Sequence, residues 1–264
     1  MKYLANCSLL FTEYPLLERP AAAKEAGFDA VEFWWPWPDP VPSGTEASAF
    51  TQAICDAGVR LAGLNFFAGD LAGPDCGVLS LPKRSQEFRD SVAAAVAIGE
   101  ELGVTGFNAL YGNRVAGISP EDQDDLAREN LGLAADAAAR IGGCVLVEAV
   151  SGPKPYPLRT AGDSARVVEE VRSDGHPSIG VLLDLYHLAA NGDDLDAAIE
   201  AYAPVTAHVQ IADHPGRGEP GSGSLDLARH LAALEARGYP GWTALEYTPT
   251  AGTEASLAWM EDQR

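Results

Sequence analysis

IGVLLDLYH, residues 179–187, is an almost unbroken apolar run that stops on an acid, Asp184. A short run of this kind reads as a parallel strand covered on both faces, and a carboxylate at its end must find a cation or hydrogen-bond donors. The neighbouring runs repeat the pattern. CVLVEAV (144–150) reaches Glu148, TAHVQIAD (206–213) reaches Gln210, and WTALEY (242–247) reaches Glu246. The steps from 148 to 184, 184 to 210 and 210 to 246 are each about one strand-helix-return unit long. Four oxygen-bearing side chains are therefore expected to meet at one end of one sheet.

The same alternation extends to the N-terminus. Candidate strands at 2–7 (KYLANC), 30–34 (AVEFW), 60–66 (RLAGLNF) and 106–111 (GFNALY) precede those at 144–150, 179–185, 206–212 and 242–247. Ala-rich, charged segments lie between them, and residues 84–102 and 121–141 carry apolar side chains at helical spacing. Pro120 followed by Glu121, Asp122, Asp124 and Asp125 suits a helix N-terminus, where negative charge meets the positive end of the helix dipole. No shift of composition marks a linker, so residues 1–264 are read as one domain. Eight strand-helix units in 264 residues are the rhythm of a single (β/α)8 TIM barrel, whose chemistry is built at the C-terminal strand ends.

Composition narrows the partners. Lys and Arg total 18 against 38 Asp and Glu, a formal charge of −20, which disfavours a nucleic-acid backbone or an acidic membrane. The opening MKYLANCSLLFTEYP is too polar for a secretory leader, and no run approaches the length of a membrane span. Cys7, Cys55, Cys76 and Cys144 show no metal-site or redox-pair spacing and are read as reduced thiols of a cytoplasmic protein.

Glu148, Asp184, Gln210 and Glu246 offer only oxygen ligands, the set that hard cations prefer, so Mg²⁺ or Mn²⁺ is expected ahead of zinc or copper. Such a cation polarises a carbonyl and an adjacent hydroxyl together, and two flanking glutamates, Glu148 and Glu246, are then the natural pair for proton transfer. His187, three residues beyond Asp184, is read as hydrogen-bonding a substrate oxygen or anchoring a loop, and His208, two before Gln210 on the same strand face, as supporting the site or capping the barrel interior. Arg217 sits in HPGRGEPGSG, a loop shaped by glycines and prolines, and its planar fork suits a substrate carboxylate; a salt bridge to Glu219 or Asp213 is the bland alternative. Asn65 and Glu32 lie near strand ends and are read as lining the pocket or holding its ligands. The aromatic run FWWPW (33–37), with Phe66 and Phe67, is read as a pocket roof or a contact between copies in a homo-oligomer, with ordinary barrel packing an equal alternative.

With these residues in hand, the chain resembles the hydroxypyruvate isomerase family, within the xylose-isomerase-like barrels that also hold ketose 3-epimerases and endonuclease IV. The resemblance spans nearly the whole chain and rests on ANCSLLFTEYP (5–15), AGFDAVEFWWP (26–36), AGD (68–70), EFRDSVAAA (87–95), DLYH (184–187), HVQIADHPGRGEPGSG (208–223), GWTALEY (241–247) and TEASLAWM (253–260). It implies interconversion of hydroxypyruvate and tartronate semialdehyde, a small anionic hydroxy-oxo acid, with Glu148 and Glu246 moving protons. Gln210 stands where related metal-dependent barrels carry a His ligand. Three departures bear on substrate identity. Ala149-Val150-Ser151 replaces a common Pro-Ile-Asn, Phe66-Phe67 replaces Leu-Pro, and Ser224 replaces a Glu. A ketose 3-epimerase and a non-catalytic binding barrel are the competing readings.

Overall fold

The computed structural model describes Met1–Gln263 and closes eight parallel strands on themselves in chain order. They are β1 (Lys2–Asn6), β2 (Ala30–Phe33), β3 (Arg60–Asn65), β4 (Gly106–Asn108), β5 (Cys144–Glu148), β6 (Ile179–Asp184), β7 (Thr206–Ile211) and β8 (Trp242–Leu245). β8 pairs back onto β1 from Lys2–Trp242 to Ala5–Leu245, so the sheet has no free edge. Helices cover the outside: α1 (Arg19–Glu25), α2 (Gly44–Ala57), α3 (Ser85–Leu102), α4 (Pro120–Ala139), α5 (Ala161–Ser173), α6 (Leu185–Asn191), α7 (Leu195–Tyr202), α8 (Leu227–Ala236) and α9 (Thr253–Ser256). This is a TIM barrel.

The strands stop one to three residues earlier than the apolar runs suggest. Ala109, Tyr111 and Ala149 are buried, but they pack in the loops above the barrel after the ladder has ended. Apolar content marks burial, and a loop that roofs a pocket is buried too. The helices agree more closely. α4 starts at Pro120, with the Ser119 side chain accepting from the Asp122 N–H. At this first position proline loses nothing, because its missing N–H would be unpaired anyway.

Strand alternation sorts the side chains into a wall and a filling. Outward residues such as Val31, Val145, Val147, Val181, Leu183, Val209 and Ile211 pack in the large core cluster shared with the helices. Leu4, Ala30, Ala62 and Ala244 form a separate small cluster inside the barrel. Two residues further along their strands, Leu4, Ala30 and Ala244 give way to Asn6, Glu32 and Glu246. An apolar floor thus carries a polar layer directly above it. Gly63 on β3 makes room for that layer: a Cβ there would stand 3.0 Å from both Cβ and Oε2 of Glu32.

The aromatic roof is mostly core. Phe33 packs edge-on against Phe50, and Phe66 stacks on Phe107 at 5.4 Å between barrel and helices, while Trp34 alone of the 33–37 run borders the cavity described below. All four cysteines are free, and among the described residues no helix is long and apolar enough to cross a membrane.

Candidate active site

The C-terminal rim of the barrel carries the four residues that the apolar runs end on. β5 finishes on Glu148 and β6 on Asp184; Gln210 pairs with Asp184 in the β6–β7 register. Glu246 follows β8 directly, its N–H still donating to the Ile211 carbonyl at 3.1 Å. All four are buried.

The structure divides them into two groups. Glu148 and Asp184 join His187, and one potential ligand atom from each lies within 4.8 Å of the others. Asp184 caps α6, its Oδ1 accepting from the His187 N–H at 3.0 Å, and its Oδ2 is buried without a partner. Asn108 donates to Glu148 Oε2 at 2.7 Å. Burial, reinforced by the Asp184 charge, pushes the Glu148 carboxyl up to about 8. Burial also pushes His187 down to about 4, against the pull of Asp184, so the imidazole is neutral at neutral pH.

The second group is a hydrogen-bond web around Glu246 and Glu32. Asn6 donates to Glu32 Oε1 and to Glu246 Oε2, each at 2.8 Å. Gln210 Nε2 donates to Glu32 Oε1 at 2.9 Å and to Glu246 Oε2, leaving Gln210 Oε1 buried and unpartnered. His208 Nε2 meets Glu32 Oε2 at 2.7 Å. Burial opposes ionisation of Glu32, but His208, Gln210 and Asn6 outweigh it and hold this carboxyl below its ordinary value. For Glu246 burial wins, pressing its carboxyl well above the usual range while Arg217 opposes the shift.

Arg217 enters from the loop after β7. Asp213 organises that loop, accepting backbone N–H groups from His214, Gly221 and Leu225 at 2.8 to 2.9 Å. Arg217 itself has a positive φ of 60°, and its carbonyl accepts from the Thr248 N–H at 2.8 Å. Its guanidinium lies 5.5 Å from the Tyr186 ring centre and 6.0 Å from that of Trp34, and Nη2 donates to Glu246 Oε1 at 2.6 Å. The alternative partners are otherwise engaged: Asp213 in the loop backbone, and Glu219 with Thr250. Ser224 turns its hydroxyl to the His214 carbonyl at 3.1 Å.

A cavity of about 300 Å³ opens against this site. Glu148, Glu246, His187, Arg217 and Asn65 supply its polar wall, and Leu71, Leu110, Val150 and Pro153 its apolar one. Of the remaining expected site residues, Asp184 and Gln210 lie behind this wall, and His208 reaches the site through Glu32. Lys154 also borders the cavity, donating to the carbonyls of Leu71 and Asp75 at 3.0 and 2.5 Å and so tying the β5 loop to the β3 loop. Asn6, Asn108 and Lys154 were not singled out in the sequence. The two asparagines carried the signal that marked the others, a polar residue ending an apolar strand. Lys154 gave none, because its partners are backbone carbonyls far away in the chain.

The donor set fits a hard divalent cation. Asp184 Oδ2 and Gln210 Oε1 are buried acceptors lacking donors, and Glu148 adds a second carboxylate beside Asp184. A cation beside Glu148 and Asp184 would give the lone Asp184 oxygen a partner and relieve the repulsion between the acids.

Comparison with known proteins follows the same line. The model of the xylose isomerase-like TIM barrel family matches residues 20–263. A Streptomyces coelicolor protein provisionally named hydroxypyruvate isomerase is 53% identical over 98% of this chain and 95% of its own length. A 2-oxo-tetronate isomerase of Cupriavidus necator is 34% identical over 98% of this chain and 97% of its own. A Brucella melitensis crystal structure described as an AP endonuclease of family 2 covers 100% of both chains at 33% identity, with a TM-score of 0.90.

Proposed function

From the premise that this chain belongs to the xylose isomerase-like TIM barrel family and, within it, to the hydroxypyruvate isomerases, and is an isomerase, we propose that it interconverts hydroxypyruvate and tartronate semialdehyde, or a closely related small 2-oxo acid, by proton transfer between Glu148 and Glu246. The observation that carries this reading is that both glutamates border one cavity together with Arg217 and His187.

The reaction moves one carbon-bound proton and shifts the carbonyl by one carbon. One glutamate takes a proton from the hydroxyl-bearing C3 of the ketone form, giving an enediolate across C2 and C3. The other returns a proton to C2, and a proton passes between the two oxygens, so the aldehyde appears at C3. No redox partner is needed. The position of Glu148 on the cavity wall supports this role, because a proton carrier must reach the substrate carbon. Arg217 presents a buried Nε–H with no protein partner, a donor suited to the substrate carboxylate. Asn6 and Gln210 hold Glu246 in position from its other oxygen.

Glu148, Asp184, Gln210 and Glu246 are the residues proposed to hold Mg²⁺ or Mn²⁺. When bound, such a cation supplies polarisation of the carbonyl and its neighbouring hydroxyl. The formal charge of −20 does not oppose an anionic substrate, since surface charges are screened by salt over about 10 Å whereas Arg217 acts inside the pocket. The endonuclease description of the Brucella structure gains no support from this acidic chain.

The test is incubation with hydroxypyruvate and Mg²⁺ or Mn²⁺ in D₂O, followed by NMR. Isomerisation moves the carbonyl and places deuterium at C2. A ketose that exchanges deuterium and inverts C3 without carbonyl movement would instead establish a 3-epimerase, and failure of all small 2-oxo acids and ketoses to react would leave a binding barrel.

A further inference from the structure

Two side chains with permanent positive charge, Arg217 and Lys154, border the cavity, and they are paired differently. Arg217 commits Nη2 to Glu246, so its charge is shared with a carboxylate of the site itself. Lys154 meets no carboxylate among the described residues. Its Nζ donates to two neutral acceptors, the Leu71 and Asp75 carbonyls, at 3.0 and 2.5 Å. The Asp75 carboxylate is engaged elsewhere, its Oδ2 accepting from Arg84 Nη1 at 2.7 Å and from the Asp70 N–H at 2.8 Å. An ammonium has three N–H donors, so one is left after both carbonyls are served.

The backbone beneath this side chain is pinned as well. Lys154 stands between Pro153 and Pro155, whose rings restrict the chain. The Lys154 carbonyl accepts from the Tyr156 N–H at 2.8 Å, and the Pro155 carbonyl from the Arg114 N–H at 2.9 Å. A lysine held at both ends has already lost the rotamer freedom that a loose one would give up on binding a ligand. A tie between two loops needs donors and no charge, and a neutral amide could also donate to carbonyls. The positive charge is therefore what the internal contacts of Lys154 leave unused, at a cavity whose wall also holds two glutamates.

We propose that Lys154 is a specificity-determining residue that binds the substrate carboxylate, adding an unshared positive charge to the Nε–H that Arg217 offers, and so selects a 2-oxo acid over a neutral ketose of the same length. This rests on the isomerase reading and deepens it. The reacting C2 and C3 must face Glu148 and Glu246, whereas the C1 carboxylate takes no part in the proton transfer and needs a partner of opposite charge. A charge-assisted hydrogen bond from Lys154 supplies one. Lys154 belongs to the loop after Glu148, whose first residues depart from the family pattern, so substrate selection is assigned to that loop.

Two measurements decide it. The first compares hydroxypyruvate with dihydroxyacetone, which carries a hydroxymethyl group in place of the carboxylate. Lys154→Gln, which keeps an amide donor and loses the charge, is expected to lower kcat/KM on hydroxypyruvate by about 10- to 100-fold, chiefly through KM. On dihydroxyacetone the change should stay within about threefold, and Lys154→Arg should recover most of the loss on the acid, because it restores the charge. An equal fall on both substrates would make Lys154 a loop tie and nothing more, and an unchanged KM for hydroxypyruvate would remove it from recognition; either overturns the proposal. The second is calorimetric titration in EDTA with D-glycerate and with glycerol, neither of which has a carbonyl to isomerise. Wild type is expected to bind glycerate more tightly than glycerol, and Lys154→Gln to lose about 10-fold on glycerate alone. Wild type that binds glycerate no better than glycerol overturns the proposal. If wild type turns over neither ketone, the isomerase reading fails, and the glycerate titration alone then decides the role of Lys154.

Discussion

Arg217 donates through Nη2 to Glu246 Oε1 at 2.6 Å, so the cation expected to clamp a substrate carboxylate is already paired with one of the two proposed proton carriers. The pair is largely buried, and a buried charge left alone is costly.

Arg217→Ala is accordingly expected to do more than raise KM. Loss of the guanidinium removes a substrate contact and also frees one oxygen of Glu246, so kcat should fall together with a rise in KM. The combined loss in kcat/KM should be about 10²-fold or more, on the order of 3 kcal/mol for a buried pair broken on one side. Steady-state kinetics on hydroxypyruvate read both constants. A raised KM at unchanged kcat would mean that Glu246 does not depend on Arg217.

Glu246→Gln keeps the shape of the side chain and can still be held by Asn6 and Gln210 after an amide flip, so the barrel should remain intact by circular dichroism. Its proton-transfer capacity is gone. Turnover is expected to fall by roughly 10² to 10⁴, the usual worth of a positioned acid or base. Wild-type rates in this variant would remove Glu246 from the mechanism.

Much of this site was legible because a barrel strand obeys a simple rule. Its interior is apolar, so a Glu, Asp or Gln at its end stands out, and consecutive strands bring such residues to the same rim. That logic located Glu148, Asp184, Gln210 and Glu246 without a structure. What it did not carry is pairing. Whether Arg217 turns to Asp213, Glu219 or Glu246 depends on the backbone of a thirteen-residue neighbourhood around Asp213, including the positive φ at Arg217 itself. Phe66 was ambiguous in the sequence for a related reason. An aromatic at a strand end packs equally well above the barrel or behind it, and here Phe107 on β4 draws Phe66 into the space beneath α3.

The pH dependence of stability should carry the mark of His187. Its folded-state value of about 4 lies below the ordinary 6.5, so between these values the unfolded chain takes up a proton that the folded chain refuses. The contribution is complete above pH 6.5 and is lost as the pH falls towards 4. At about 1.4 kcal/mol per unit the whole effect is on the order of 3 kcal/mol. Urea unfolding of the metal-free protein across this window should show a slope that His187→Gln flattens. Parallel curves for the two proteins would place the titrating group elsewhere.

Metal binding should register as stability, because Glu148 and Asp184 are brought together, and Asp184 and Gln210 made neighbours across the β6–β7 register, only in the folded barrel. A ligand at 100 times its Kd that binds only the folded state contributes about 2.7 kcal/mol. For a chain of this size each kcal/mol moves Tm by about 2–4 °C, so saturating Mg²⁺ or Mn²⁺ should raise Tm by roughly 5–10 °C over protein in EDTA. Asp184→Asn removes one charge from the cluster and should abolish most of that rise, while also relieving the repulsion that lifts Glu148. The variant is therefore expected to be at least as stable as wild type in EDTA and clearly less stable than wild type with metal. That crossing separates a ligand from a merely structural acid: an Asp184 that only capped α6 would cost stability equally with and without the cation.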